Sequence, residues 1–255
     1  MIILKHLPVV VLAATLNIGC GGGGGGSAGS PNGIYTGSIT GGRGEPFNGD
    51  EKGVIYNNRM MVFSSANGIR QMFESQITQS GTNLSGIIIY YPADSLPSTA
   101  SLTLIGSFIK DTSATINFTD ATGSKPPPDG TINLISNPTS FNKGSSSATI
   151  EATWQGLHGG VGNGSTIMVS ATGAITGSSD LGCTYTGTIL PADTSVNIYD
   201  VNLITGNDCD VASLEFLANN TTYTGFAWTE GANDETLNLT VSDGTNSRSV
   251  VLTKN

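Results

Sequence analysis

A chain of 255 residues is long enough for one large all-β domain or two small ones. Charged residues make up only 11% of it, without long runs of one sign, which argues against a highly charged disordered polymer. A net charge of −9 and a pI near 4.4 argue against sequence-independent nucleic-acid binding.

The first element is MIILKHLPVVVLAATLNIGC, with a lysine near its start and an apolar run from Leu7 to Leu16. A bilayer span needs about 20 residues, so this run is too short to cross; it suits the h-region of a secretory signal. Cys20 then precedes six consecutive glycines. Gly19 and Cys20, with Ile18 before them, resemble the lipobox of bacterial lipoproteins, although Asn17 stands where that family has an apolar residue. The resemblance implies cleavage before Cys20 and diacylglyceryl modification of its thiol. It also implies export to the outer membrane, because Gly21 rather than Asp follows the cysteine. Several acyl chains at one residue would hold the protein durably, each buried methylene contributing about 0.8 kcal/mol. The glycines read as a flexible tether of about ten residues with an r.m.s. span of roughly 15–20 Å.

From Gly33 onward, alternation replaces helical periodicity. GIYTGSITG (33–41), MMVFSS (60–65), QMFESQITQ (71–79), LSGIIIYY (84–91), SLTLIGSFI (101–109), ATINFT (114–119) and GTINLI (130–135) read as strands. The second half continues with ATIEATWQGL (148–157), STIMVSA (165–171), CTYTGTIL (183–190) and VNIYDVNLIT (196–205). TTYTGFAWT (221–229), ETLNLTVS (235–242) and SRSVVLT (247–253) complete it, with SDGTNS (242–247) as a hairpin turn. A Tyr-Thr-Gly motif recurs at Tyr35, Tyr185 and Tyr223. Glycine inside a strand marks a bend or a close backbone approach, as at barrel corners; the tyrosines read as strand packing, with ligand contact the sharper alternative.

KPPPDG (125–130) and SNPTSFNKGSSS (136–147) break the pattern. The expected organisation is therefore a signal peptide over residues 1–19, a lipidated Cys20 and tether over 20–32, and a first unit over 33–136. A linker follows over 137–147 and a second unit over 148–255. The fold class is all-β: two tandem small antiparallel barrels or sandwiches, with closure removing exposed edges. One continuous structure sharing strands between the halves is the alternative.

The cysteine count is three, odd for an exported chain. With Cys20 lipidated, Cys183 and Cys209 remain, and an oxidising periplasm favours their disulfide over a metal site or a redox pair.

TIMVSATGAITGSSDLGCTYTGTI, NIYDVNLITGNDC, TYTGFAWTE and the closing VVLTK resemble a group of proteobacterial lipoproteins, and GIYTGSITG with GVIYNNRMMVF is similar to the first half of the same group. The resemblance implies an anchored two-part β protein and no catalytic residues.

No GxSxG elbow, GxGxxG or P-loop lysine motif occurs. His158, the histidine outside the leader, lies in GLHGGVGNG and reads as a loop residue. The acids stand mostly alone beside Gly, Asn or Thr; Glu151, on the strand expected before Trp154, is the least turn-like. Asn207, Asp208 and Asp210 could offer oxygen to Ca²⁺ but lack an EF-hand loop's length and distal Glu, so they read as a turn, and no metal or cofactor is expected. Ser30 to Ser179 carries seven basic and nine acidic residues, a net of −2, whereas Asp180 to Asn255 carries two and ten, a net of −8. That acidic end reads as a solvated face. The expected function is a non-catalytic, membrane-anchored envelope lipoprotein that binds a protein, glycan or small apolar ligand or serves as a spacer. The alternatives are an envelope hydrolase with paired carboxylates and an inhibitor of a cationic lysozyme.

Overall fold

The computed structural model describes residues 29–41, 51–64, 71–91, 100–120, 129–158, 163–207, 209 and 217–255. Alternation in the first half becomes β1 (Gly33–Gly41), β2 (Glu51–Tyr56), β3 (Arg59–Ser64) and β4 (Met72–Ser80). It continues through β5 (Asn83–Tyr91), β6 (Ala100–Ile109), β7 (Ser113–Thr119) and β8 (Gly130–Ser136). Each strand pairs antiparallel with the next, and β8 returns to β1 in a register running from Tyr35↔Ser136 to Gly41↔Gly130. The sheet is therefore a closed barrel without edges.

One end of this barrel is made of tight turns, each with residues suited to left-handed backbone. Asn57 and Asn58 join β2 to β3 with φ of 47° and 63°, the requirement of a two-residue hairpin turn. Gly81 and Asp111 take the same region at the β4–β5 and β6–β7 turns. Residues 29–32 lie at this end too: Gln79 Nε2 donates to Gly29 O at 2.7 Å, and Tyr35 Oη donates to Pro31 O at 2.5 Å.

The second barrel repeats the plan with β9 (Ala152–His158), β10 (Asn163–Val169), β11 (Ala174–Ser179) and β12 (Thr184–Pro191). β13 (Tyr199–Thr205), β14 (Thr222–Glu230), β15 (Thr236–Ser242) and β16 (Ser247–Lys254) follow, and β16 closes on β9. The halves are thus two separate closed barrels, not one structure with shared strands. Cys183 and Cys209 form a disulfide that ties the β11–β12 turn to the β13–β14 connection.

Three elements differ from the sequence expectation. β2 and β11 are strands that the alternation pattern alone passes over: EKGVIY is apolar on both faces where it counts, and AITGSS is short and small. Residues 148–150 are helical instead of extended. They belong to α2 (Ser147–Ile150), started by Ser146, whose side chain accepts from Thr149 N at 3.2 Å. Ile150 is buried in the second barrel's core, and its carbonyl accepts the Trp154 indole N–H at 2.9 Å. His158, expected in a loop, is the last residue of β9 and pairs with Asn163.

The connection between barrels is docked. It contains α1 (Pro138–Phe141), capped by the Asn137 side chain accepting from Ser140 N. Phe141 O accepts from Asn197 N at 2.8 Å, and Lys143 pairs with Asp234 at 2.6 Å.

The barrels themselves share a core. Ile34, Val54, Met61, Phe63, Met72 and Tyr91 on the outer wall of β1–β5 pack with Val196, Ile198, Phe226 and Trp228 of the second barrel. Phe63 and Trp228 rings lie 5.9 Å apart, and Phe226 meets Tyr56 edge-on at 6.2 Å. Ion pairs frame this core. Arg59 grips Glu74 through two nitrogens at 2.9 and 2.6 Å, reaches across to Thr224 O at 3.1 Å, and stacks over Phe226. Glu74 in turn accepts from Tyr91 and from Ser242 of the second barrel. On the other flank, Lys52 bridges to Glu230 at 2.5 Å and to Asn238 at 3.2 Å.

Candidate functional site

Barrel proteins that bind small molecules do so in the lumen, so the lumens come first. In the first barrel, inward-facing Tyr35, Ile55, Val62, Phe73, Leu104, Ile116, Phe118 and their neighbours form one buried cluster. Phe73 is the hub, with its ring 4.9 Å from Tyr90 and 5.5 Å from Phe118. The second lumen holds Trp154, Tyr199, Tyr223, Leu237, Leu252 and others in an equivalent cluster. Its cavity measures about 30 Å³ and is lined mainly by Ile167, Tyr185, Leu203, Leu217, Arg248 and Leu252. That is room for a water molecule, against the several hundred Å³ a drug-sized ligand needs. Buried side chains cluster in both lumens, and this cavity in the second is far smaller than a small apolar ligand would need.

The recurrent Tyr-Thr-Gly motif explains part of this packing. All three tyrosines are buried, and their hydroxyls close barrel ends: Tyr35 on Pro31 O, Tyr223 on Ala218 N at 2.7 Å, Tyr185 beside Ser165 Oγ at 3.5 Å. Two residues on, Gly37, Gly187 and Gly225 sit where a neighbouring strand passes so closely that a Cβ would lie 1.9, 2.0 and 1.9 Å from Asn133 O, Asn202 O and Thr240 O. The motif is a device for coiling and plugging the barrel. Burial pushes the Tyr35 and Tyr223 phenols up to about 12, with Asp111 adding to the effect at Tyr35.

The carboxylates hold local structure. Glu74, Glu230 and Asp234 are in ion pairs. Asp193 accepts from Ser195 and Asp243 from Thr245 and Asn246, both within turns, while Asp180 accepts from Gly164 N. Hydrogen bonds from turn groups hold Asp193 and Glu235 below the usual carboxylate range. Asp200 moves the other way, raised by partial burial against the opposing pull of Arg59. Glu151 is exposed at the end of α2. Among the described residues, no cluster of three His, Cys, Asp or Glu side chains could hold a metal ion. Asn207 accepts from Asn220 at 2.6 Å, whereas Asp208 and Asp210 lie outside the described residues. Cys20 also lies outside them.

What remains is the outer surface. Outward positions of the strands are mainly Ser, Thr and Asn, the reverse of the apolar outer band of a membrane-spanning barrel. No helix among the described residues is long and apolar enough to cross a membrane. On the second barrel, Met168, Thr176, Thr186, Ile204 and Thr222 form one cross-strand row over β10–β14. On the first, Ile87, Ile105, Ile109 and Ile135 stand exposed on β5, β6 and β8.

No protein-family model and no curated protein sequence matches the chain. Among solved structures, it is similar to immune modulator A of Aeromonas veronii, with a TM-score of 0.42 and 12% identity, covering 88% of this chain and 94% of that one. It is also similar to the isotype 1 transferrin binding protein B of serogroup B Neisseria meningitidis, with a TM-score of 0.32 and 11% identity, covering 80% of this chain. The chain spans 58% of the meningococcal protein's length.

Proposed function

We propose that this chain is a non-catalytic, lipid-anchored envelope protein that acts through its outer surface, on a protein or glycan or as a structural spacer. One observation carries the reading: buried side chains cluster in both barrel lumens, and the cavity in the second measures about 30 Å³. A filled lumen directs binding to walls and rims. The engagement of Glu74, Glu230 and Asp234 in ion pairs supports the non-catalytic side, because paired-carboxylate hydrolysis needs two acids free to face a substrate. Lipidation at Cys20 and outer-membrane placement rest on the lipobox resemblance.

The lumen claim is tested by native mass spectrometry of the purified protein and titration with fluorescent fatty-acid and steroid probes. The expected result is the mass of the acylated chain alone and no saturable probe binding. A stoichiometric apolar ligand displaced by such a probe would overturn the reading.

A further inference from the structure

We propose that the isoleucine-bearing wall of the first barrel, formed by β5–β8, rests on the lipid surface and orients the molecule, with the second barrel held away from it. The inference rests on the lipid anchor at Cys20 and adds a docking face to it.

Register makes the isoleucines neighbours. Ile109 and Ile135 both pair with Ser113, one from each side, which places them two strands apart, about 10 Å. Ile105 lies four residues along β6 from Ile109, and Ile87 is its diagonal neighbour on β5. Exposures of 63, 65, 64 and 66% for Ile87, Ile105, Ile109 and Ile135 mean that each presents most of its side chain to water. The ground between them is uncharged: outward positions of β6, β7 and β8 hold only Ser, Thr, Asn and Ile. Such a face can approach headgroups without desolvating an ion and can insert four branched side chains among them.

The chain's own path selects lipid over other occupants. Gly29 is held at the tight-turn end of this barrel by Gln79, and a Cβ there would touch the Lys110 side chain, one residue beyond Ile109. Gly29 is nine residues from Cys20, and covalent geometry limits that distance to about 32 Å. An acylated Cys20 therefore keeps this end of the barrel, and with it the Ile109–Ile135 corner, within reach of the headgroups. Charge agrees with this orientation. Residues 29–136 carry six basic and eight acidic residues, whereas 137–255 carry three and eleven. β6–β8 lie opposite the wall that packs on the second barrel, so anionic headgroups meet the neutral face and the acidic barrel stands outermost.

The test uses the full, exported chain purified with its anchor and reconstituted in vesicles of phosphatidylethanolamine and phosphatidylglycerol. Acylation of Cys20 and the Cys183–Cys209 disulfide leave an introduced cysteine as the sole free thiol, so Ile105→Cys and Thr176→Cys are each labelled with an environment-sensitive dye. Palmitate incorporation is measured on the same samples. The expected result is acylated protein in which lipid-borne nitroxide quenches the dye at 105 at least severalfold more than at 176. Replacing Ile87, Ile109 and Ile135 with Ser should remove that difference without changing palmitate incorporation. Equal quenching at both positions on acylated protein would overturn the docking face while leaving the anchor standing. Absence of palmitate would overturn both. Concentration-dependent shielding of position 105 without lipid would assign the wall to a second copy of the chain and overturn the proposal.

Discussion

At Gly37, Gly187 and Gly225 the barrels depend on the absence of a side chain. Adding one methyl group sets a carbon against a neighbouring backbone carbonyl that belongs to a hydrogen-bonded strand and cannot swing away. Each Gly→Ala substitution should therefore destabilise the protein by about 1–3 kcal/mol or more, read as a lower urea midpoint. Tyr35 and Tyr223, two positions before Gly37 and Gly225, set a pH limit. Their folded-state pKa values near 12 exceed the unfolded value of 10.0, so the stability they contribute is complete below pH 10 and is lost as pH rises toward 12. Absorbance titration should show Tyr35 and Tyr223 ionising together with loss of near-ultraviolet circular dichroism in that window. Phenols titrating at pH 10 with the fold intact would contradict their burial.

Among the elements, legibility followed the number of faces buried. β6 alternates strictly because one face meets the lumen and the other meets water, and its sequence SLTLIGSFI shows it. β2, β14 and β15 are buried on both faces over much of their length, since they line a lumen and also the contact between barrels. The runs GVIY and GFAW lose the period of two, whereas TLNLTVS keeps it because its outward residues in the contact, Asn238, Thr240 and Ser242, are polar, so the inter-barrel contact was not visible as alternation. Apolar runs in strands of a chain that otherwise alternates were the signal that could have found it. The paired asparagines at 57 and 58, suited to a two-residue hairpin turn, were likewise a signal that could have found β2. α2 stayed hidden because four residues carry no period, and only the Ser146 cap and the Ile150 plug define it. The disulfide was legible from cysteine parity. Closing a loop of 26 residues' separation, it should contribute about 3–4 kcal/mol by the loop-closure estimate. Reduction under native conditions should lower the urea midpoint accordingly, and an unchanged midpoint would contradict the loop-closure account.

For the whole molecule, the shared core and its flanking ion pairs make two barrels one body. Phe63 and Trp228 are fully buried in it, so Trp228→Ala should cost about 3–5 kcal/mol and uncouple the halves. Calorimetry should show one transition for the native protein and two for that variant; two transitions in the native protein would contradict a common core. A rigid pair of filled barrels has little to offer a small ligand and a large outer area to offer a surface or a macromolecule. Residue 20 decides whether that area works at a membrane. The intact mass of the mature polypeptide, isolated from the membrane fraction of cells that export it, answers this directly. The account predicts a chain beginning at Cys20 with the added mass of a diacylglyceryl group. A chain beginning elsewhere, or an unmodified cysteine on protein recovered from the aqueous phase, would contradict it.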